Sequence, residues 1–314
     1  MSCGSVEVIV PASTANLGAG LDCLGLALDI RNQYIFSLGT AGPDITIKGE
    51  GAGYLPVDEE HPAYMACMKL LTGMGKKPAG LSIRQVNCVP FSGGLGNSAT
   101  AVVAGVVAAG LLAGKPFSQE DILCEAAALE GHPDNVAPAY LGGLVVCASN
   151  ANGRVINAKV SISDELIAVL AIPQFTLSTN SSRQVLPAKV SLGDALFNVS
   201  RCGLFVAALA NNQLDLLPMA MEDKLHQRYR AALVPGLNEV CQAAQQAGAF
   251  GAALSGAGPS VVALCSRNKA NPSEIGQAMV QAFALADVEA RTIITKPSET
   301  GTVYRYLGES AQWE

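Results

Sequence analysis

The chain has 314 residues, half of them hydrophobic and 15% charged, with a formal net charge of −6. That length suggests two domains with sizeable cores, and the acidic balance argues against a nucleic-acid binder, which shows a basic face. The nine cysteines include no C-x-x-C pair, which argues against a zinc site or a dithiol redox motif. Reduced, buried thiols in a cytoplasmic protein are expected instead.

The first ten residues lack the basic region and apolar run of a signal peptide. Residues 6–10 read as a strand, leading into PASTANLGAGLD, residues 11–22. Its small residues suggest a tight passage of backbone, with Asn16 and Asp22 as its polar heads. Residues 34–38 and 45–47 read as short strands joined by a Gly-Pro turn. A helix over 62–74 stops at Gly73 and Gly75, and 81–86 is a further strand.

The stretch PFSGGLGNSAT, residues 90–100, is the most informative. A glycine-rich turn that opens a helix aims unpaired N–H groups and the positive helix end at one spot. Such a spot suits anions, phosphate above all. Ser98 adds a hydroxyl for Mg²⁺ or a phosphate oxygen. The loop is neither a Walker sequence nor a dinucleotide fingerprint, because the required lysine and glycine spacing are missing. A plain turn before a core helix is the bland alternative.

The apolar run over 99–113 is shorter than the roughly 20 residues that span a bilayer and is expected as a buried helix. Ser118 starts a helix that runs to Glu130, with Asp121 completing a capping box. EGHPDNVAPAYLGG, residues 130–143, is expected to be broken by its prolines and glycines. Strands follow over 144–147, 155–160 and 166–172, with a hairpin turn at Asn152-Gly153. Helices over 194–211, 237–247 and 272–286 alternate with strands over 249–254, 261–265 and 290–294. SGAGPS, residues 255–260, forms a second glycine loop. The reading is α+β, divided at 1–164, 165–300 and a loose tail over 301–314.

Four of these stretches together resemble the GHMP kinases. Pro90, Gly94, Leu95, Gly96, Ser98 and Ala99 match that superfamily's phosphate-binding pattern, and SGAGPS its C-terminal motif. Within it the chain is most similar to the homoserine kinase family, through residues 11–29, 130–143, 177–187 and 225–236. The resemblance implies a ribosomal-protein-S5-domain-2-like N-terminal domain and a ferredoxin-like C-terminal domain, with ATP and substrate meeting between them. It implies ATP-dependent phosphorylation of the L-homoserine side-chain hydroxyl in threonine biosynthesis, in a cytoplasmic protein without nucleic-acid or membrane partners; a homodimer is compatible with the sequence. A mevalonate-type kinase, or a nucleotide and metabolite sensor on the same fold, is the alternative.

Residue by residue, the resemblance gives ATP to Pro90, Phe91, Ser92, Gly93, Gly94, Leu95, Gly96, Asn97, Ser98, Ala99 and Thr100, with Gly256 and Gly258. Ser98 and Glu130 would hold Mg²⁺, and a metal would relieve the negative charge of Glu130 at a helix C-terminus. Asp22 would take the substrate ammonium, and Arg183 and Arg230 its carboxylate, since guanidinium matches carboxylate with two parallel bonds. Asn16, His132 and Asn135 would orient the substrate. Asn16, Asn135, Thr179 and Arg183 form the implied catalytic set; no residue is assigned as general base. Three departures from the family pattern stand out. Asn97 replaces a serine, Ser92-Gly93 reverses the usual order, and His61-Pro62 replaces an Asn-Leu pair beside the adenine.

Overall fold

The structure, a computed structural model, describes residues 4–39, 41–91 and 93–307. The first sheet contains β1 (Val6–Asn16), β2 (Gly20–Gly39), β3 (Gly42–Gly49), β4 (Gly80–Asn87), β5 (Leu144–Ser149) and β6 (Val155–Val160). The second, four-stranded sheet holds β7 (Leu166–Pro173), β8 (Gly251–Leu254), β9 (Val261–Ser266) and β10 (Ala290–Thr295) in the order β10-β7-β9-β8. A last strand, β11 (Val303–Tyr306), returns to the first sheet and pairs antiparallel with β1. The expected loose tail is therefore a strand where it is described; residues 308–314 lie outside the described residues.

The first sheet carries α1 (Pro62–Gly73), α2 (Asn97–Leu112), α3 (Gln119–Glu130) and α4 (Pro133–Leu141). The rest of the chain forms α5 (Thr179–Gln184), α6 (Leu192–Ala210), α7 (Leu217–Ala220), α8 (Gln227–Arg230), α9 (Leu237–Gln246) and α10 (Pro272–Leu285). The second sheet, with its two hairpin-like halves and crossing helices, is the ferredoxin-like layer.

Several local outcomes differ from the sequence reading, each for a physical reason. Residues 11–16 extend β1 and 20–33 extend β2, because small residues let two strands run past the loops. The 45–47 strand does not form a hairpin with β2: β4 occupies that edge, and β3 pairs parallel to β4, with Gly42-Pro43 as its first residues. Residues 133–141 form α4 rather than a broken loop. Pro133 sits at its first turn, where no N–H is needed, although Pro138 lies inside it.

The α2 helix is buried all round and forms the centre of the N-terminal core with α1 and β1. A second cluster joins the two halves. Leu17 from the β1–β2 turn and Leu24 and Leu26 from β2 pack with Leu166 and Leu170 from β7 and Phe205 from α6. Apolar burial of this kind is worth about 25 cal/mol per Å², so the halves are held as one body around the loops between them. On the far face of the second sheet, α9 and α10 cover a third cluster that includes Val240 and Phe283.

The approach of β2 to α4 leaves no room for a side chain at Gly25, where a Cβ would overlap the Asp134 carbonyl. Gly25→Ala is expected to lower unfolding free energy by about 2 kcal/mol or more. Urea denaturation of both proteins measures this; an unchanged midpoint would show that the contact yields freely.

Candidate active site

The 93–100 loop turns from β4 into α2 through Gly94 at φ +73° and Gly96 at φ +68°. This left-handed geometry favours glycine, and space reinforces it: a Cβ on Gly94 would strike the Ser255 carbonyl, and one on Gly96 the Ser13 hydroxyl. The second glycine loop locks against the first. Ser255 Oγ lies 2.7 Å from the Gly94 carbonyl, and Ser260 N–H donates to Gly93 O at 3.3 Å. The N-terminus of α2 thus opens into a cavity of about 310 Å³ between the two halves.

Most of the residues singled out from sequence line that cavity. Phe91, Gly93 to Ser98, Gly256 and Gly258 form its glycine wall. Pro90, Ala99 and Thr100 do not reach it. Thr100 is buried, and its hydroxyl joins a core network with Asn32 Nδ2 at 2.9 Å and Tyr34 OH at 2.9 Å. Ser92 lies outside the described residues. Asn97 faces the cavity, but its amide does not remain free for a phosphate. It donates to Val89 O at 2.7 Å and Asn87 Oδ1 at 3.2 Å, anchoring the loop to the end of β4.

At one end of the cavity, His61 caps α1. Its Nδ1 accepts from Ala63 N–H at 3.2 Å, so Nε2 carries the proton and donates to Gln85 Oε1 at 2.9 Å. Burial lowers the His61 pKa, which keeps the ring neutral. With Leu55, Pro56 and Pro62 this end is largely apolar.

At the other end lies the polar cluster. Asn16, at φ +70°, donates from Nδ2 to the Gly256 carbonyl at 2.7 Å and accepts from Asp22 N–H at 3.0 Å. This clamp sets the Asp22 carboxylate opposite Arg183, which grips it with two bonds of 2.8 and 3.0 Å. The pair is 43% and 38% exposed. Burial works against the Asp22 charge, but the Arg183 guanidinium holds its pKa below the ordinary carboxylate range. Arg183 is carried by α5, which Ser178 caps by accepting from Ser181 N–H. Thr179 opens the same helix at the cavity wall.

Arg230 differs from Arg183. Only 2% exposed, it donates to Ser182 O at 3.1 Å and Gly256 O at 3.1 Å, and its Nη1 lies 3.2 Å from His226 Nδ1. His226 Nε2 donates to Gly18 O at 2.8 Å, so its Nδ1 is the acceptor. Asp223, its side chain fully buried beneath them, accepts from Asn198 Nδ2 and the N–H groups of Leu225, His226 and Gln227. Arg230 therefore ties α5 to the second glycine loop, and through His226 to the hairpin tip, while still lining the cavity.

Near the first glycine loop, Ser98 Oγ donates to Glu130 Oε2 at 3.0 Å. Burial raises the Glu130 pKa despite that bond. Two oxygens beside a phosphate-type loop make a donor set suited to a hard divalent cation that keeps waters. His132, extended at φ −157° ahead of Pro133 as expected, stands at the N-cap position of α4 and holds Asp134 Oδ1 at 2.6 Å from its Nδ1. Asn135 accepts from Ser13 Oγ at 3.0 Å.

Residues that sequence reasoning passed over also reach the cavity, among them Leu55, Pro56 and Gln85. Their loops and strand carry no local signal. His226, buried behind the cavity rather than lining it, had one: it precedes Arg230 by four residues.

The family models "GHMP kinases N terminal domain" and "GHMP kinases C terminal" match residues 63–143 and 205–285. The homoserine kinase of Moorella thermoacetica is 44% identical, covering 94% of this chain and 98% of its own. That of Carboxydothermus hydrogenoformans is 42% identical over 97% and 99%. The chain belongs to the homoserine kinase family of the GHMP kinases. The crystal structure of the Cytophaga hutchinsonii homoserine kinase superposes with a TM-score of 0.85 at 31% identity, covering 96% of this chain and 98% of that one. An L. major mevalonate kinase, at 17% identity and a TM-score of 0.66, shares the fold.

Burial opposes charge on His132, but Asp134, with help from Glu130, raises its pKa above the ordinary histidine value. A raised folded-state pKa adds stability that is full below the unfolded value of about 6.5 and is lost as pH rises through the folded value. The stability gap between wild type and His132→Gln is therefore expected to be widest near pH 6 and to narrow toward pH 9. Urea titrations at both pH values test this; a gap that widens with pH would contradict it.

Proposed function

We propose that the protein phosphorylates the side-chain hydroxyl of L-homoserine with ATP, a step in threonine biosynthesis. The Asp22–Arg183 ion pair carries this reading. It offers an acid and a base, half exposed and side by side, at the end of a cavity that begins at a phosphate-type loop. A zwitterionic amino acid can exchange with such a pair, its ammonium taking Asp22 and its carboxylate taking Arg183. Arg230 adds positive potential from behind, and Asn16 fixes the distance between the two halves of the substrate subsite.

Phosphoryl transfer needs positioning and charge neutralisation more than covalent chemistry. The N–H groups at the start of α2 would bind the nucleotide phosphates. Ser98 and Glu130 would hold Mg²⁺, which neutralises phosphate charge when bound. The apolar end with Leu55, Pro56 and Pro62 suits the adenine, with His61 fixed by Gln85 behind it. Asn135, Thr179 and His132 surround the space where the hydroxyl would stand. His132, oriented by Asp134, presents its Nε2 edge as a hydrogen-bonding partner. Free cysteines throughout the described residues fit a reducing, cytoplasmic compartment.

A homodimer belongs to the same reading. Leu192, Leu196 and Val199 leave one face of α6 75%, 60% and 71% exposed. This helix is long and apolar enough to cross a membrane by length and composition, but Asp194 and Arg201 engage Arg228 and Glu222 along it. A second copy is the partner that an exposed stripe on a folded helix suits. Sedimentation should give a dimer for wild type and a monomer for Val199→Glu; a wild-type monomer at tens of micromolar would sink the dimer.

Loss of one charge-assisted contact is expected to cost about 1.5–3 kcal/mol. Asp22→Asn and Arg183→Ala should therefore raise the KM for homoserine by about ten-fold or more, leaving the KM for MgATP within about two-fold. Steady-state kinetics against both substrates separates the two, and equal losses for ATP and homoserine would remove the ion pair from the substrate subsite.

A further inference from the structure

Cys23 and Cys202 stand apart from the other cysteines. Cys23 follows Asp22 directly, just before β2 enters its ladder with β5 at Leu24. Cys202 lies in α6. Their sulfurs are 3.7 Å apart, and both are half-buried. Cys67, Cys147 and Cys265 are buried. The two residues are 179 positions apart and belong to different halves of the fold. Closing the gap to a disulfide length of about 2.05 Å asks for side-chain rotation and a small approach of the backbone.

We infer that Cys23 and Cys202 form a reversible disulfide under oxidising conditions, stapling the hairpin tip to α6 beside the Asp22–Arg183 pair. The surroundings favour this. The tip that carries Cys23 is already held to the second half by Asn198, which donates to Ala19 O at 3.2 Å, and by His226 on Gly18 O. Cys202 is therefore presented to a fixed neighbour. The Cys23 S–H beside it lowers the Cys202 pKa to about 7 and raises that of Cys23. Thiolate is the reactive form, so Cys202 is the attacking group.

With a peroxide the step balances as follows. The Cys202 thiolate attacks one peroxide oxygen, the O–O bond breaks, and a sulfenic acid and hydroxide result. The Cys23 sulfur then attacks the Cys202 sulfur, the S–S bond forms, and the sulfenic oxygen leaves as water with the Cys23 proton. Two thiols lose two electrons in all, and one peroxide becomes two waters. A thiol reductant reverses the link by exchange.

The link draws Cys23 toward α6 and moves the adjacent Asp22, whose N–H is pinned by Asn16 at 3.0 Å. On the substrate reading above, oxidation therefore weakens homoserine binding and spares the nucleotide end.

The test treats the full chain with hydrogen peroxide, alkylates it, digests it and maps cross-links by mass spectrometry. A peptide joining Cys23 to Cys202 is expected as the dominant link, removed by dithiothreitol and absent from Cys23→Ser and Cys202→Ser. In the same samples the wild-type KM for homoserine should rise by about five-fold on oxidation, with that for MgATP steady and Cys202→Ser unresponsive. Absence of the 23–202 link overturns the inference, as does the link with an unchanged homoserine KM. If the reduced protein turns over no homoserine, the kinase reading fails separately, and the cross-link map alone decides the pair.

Discussion

The site depends on the bond from Asn16 Nδ2 to the Gly256 carbonyl. It joins the tip of the β1–β2 hairpin to the second glycine loop, which in turn locks against the first through Ser255 and Gly94. Three segments distant in sequence thereby share one wall. Asn16 takes a left-handed conformation to make the bond, a geometry that asparagine tolerates better than most side chains. The same amide holds Asp22 through its backbone. The glycine loops and Asp22 are thus registered to each other by a single side chain.

The electrostatics divide by burial. Arg230 and the side chain of Asp223 are buried and surrounded by carbonyl and N–H partners, so they hold structure. Removing one partner of a buried set leaves an uncompensated charge and costs several kcal/mol. Asp22 and Arg183 are half exposed, where a salt bridge contributes little to stability. A pair of that kind can open for a ligand without loosening the fold. The two arginines that sequence comparison places together therefore do different work.

Much of the architecture was legible because it is carried by local pattern. The all-apolar α2, the Ser118 cap of α3 and the alternation of β4 read directly. The glycine loop was legible through its positive-φ requirement and its place before a helix. What was not legible depended on long-range pairing. The position of β4 between β2 and β3 is decided by partners, not by residues 34–47 alone. The return of β11 to β1 follows from register 300 positions away along the chain, as in Val6 opposite Tyr306. The commitment of the Asn97 amide to Val89, and of Thr100 to Asn32 and Tyr34, requires knowing which way each side chain turns. The Cys23–Cys202 approach is likewise invisible to spacing.

The most direct test is a coupled ADP-release assay with MgATP and a panel of acceptors: L-homoserine, mevalonate, galactose, L-serine and none. The account predicts rapid release with L-homoserine and background rates with the others, because only homoserine combines a zwitterion for Asp22 and Arg183 with a hydroxyl reaching back to the phosphate loop. Turnover with mevalonate or galactose instead, or none with any acceptor in protein shown to bind MgATP, would contradict it.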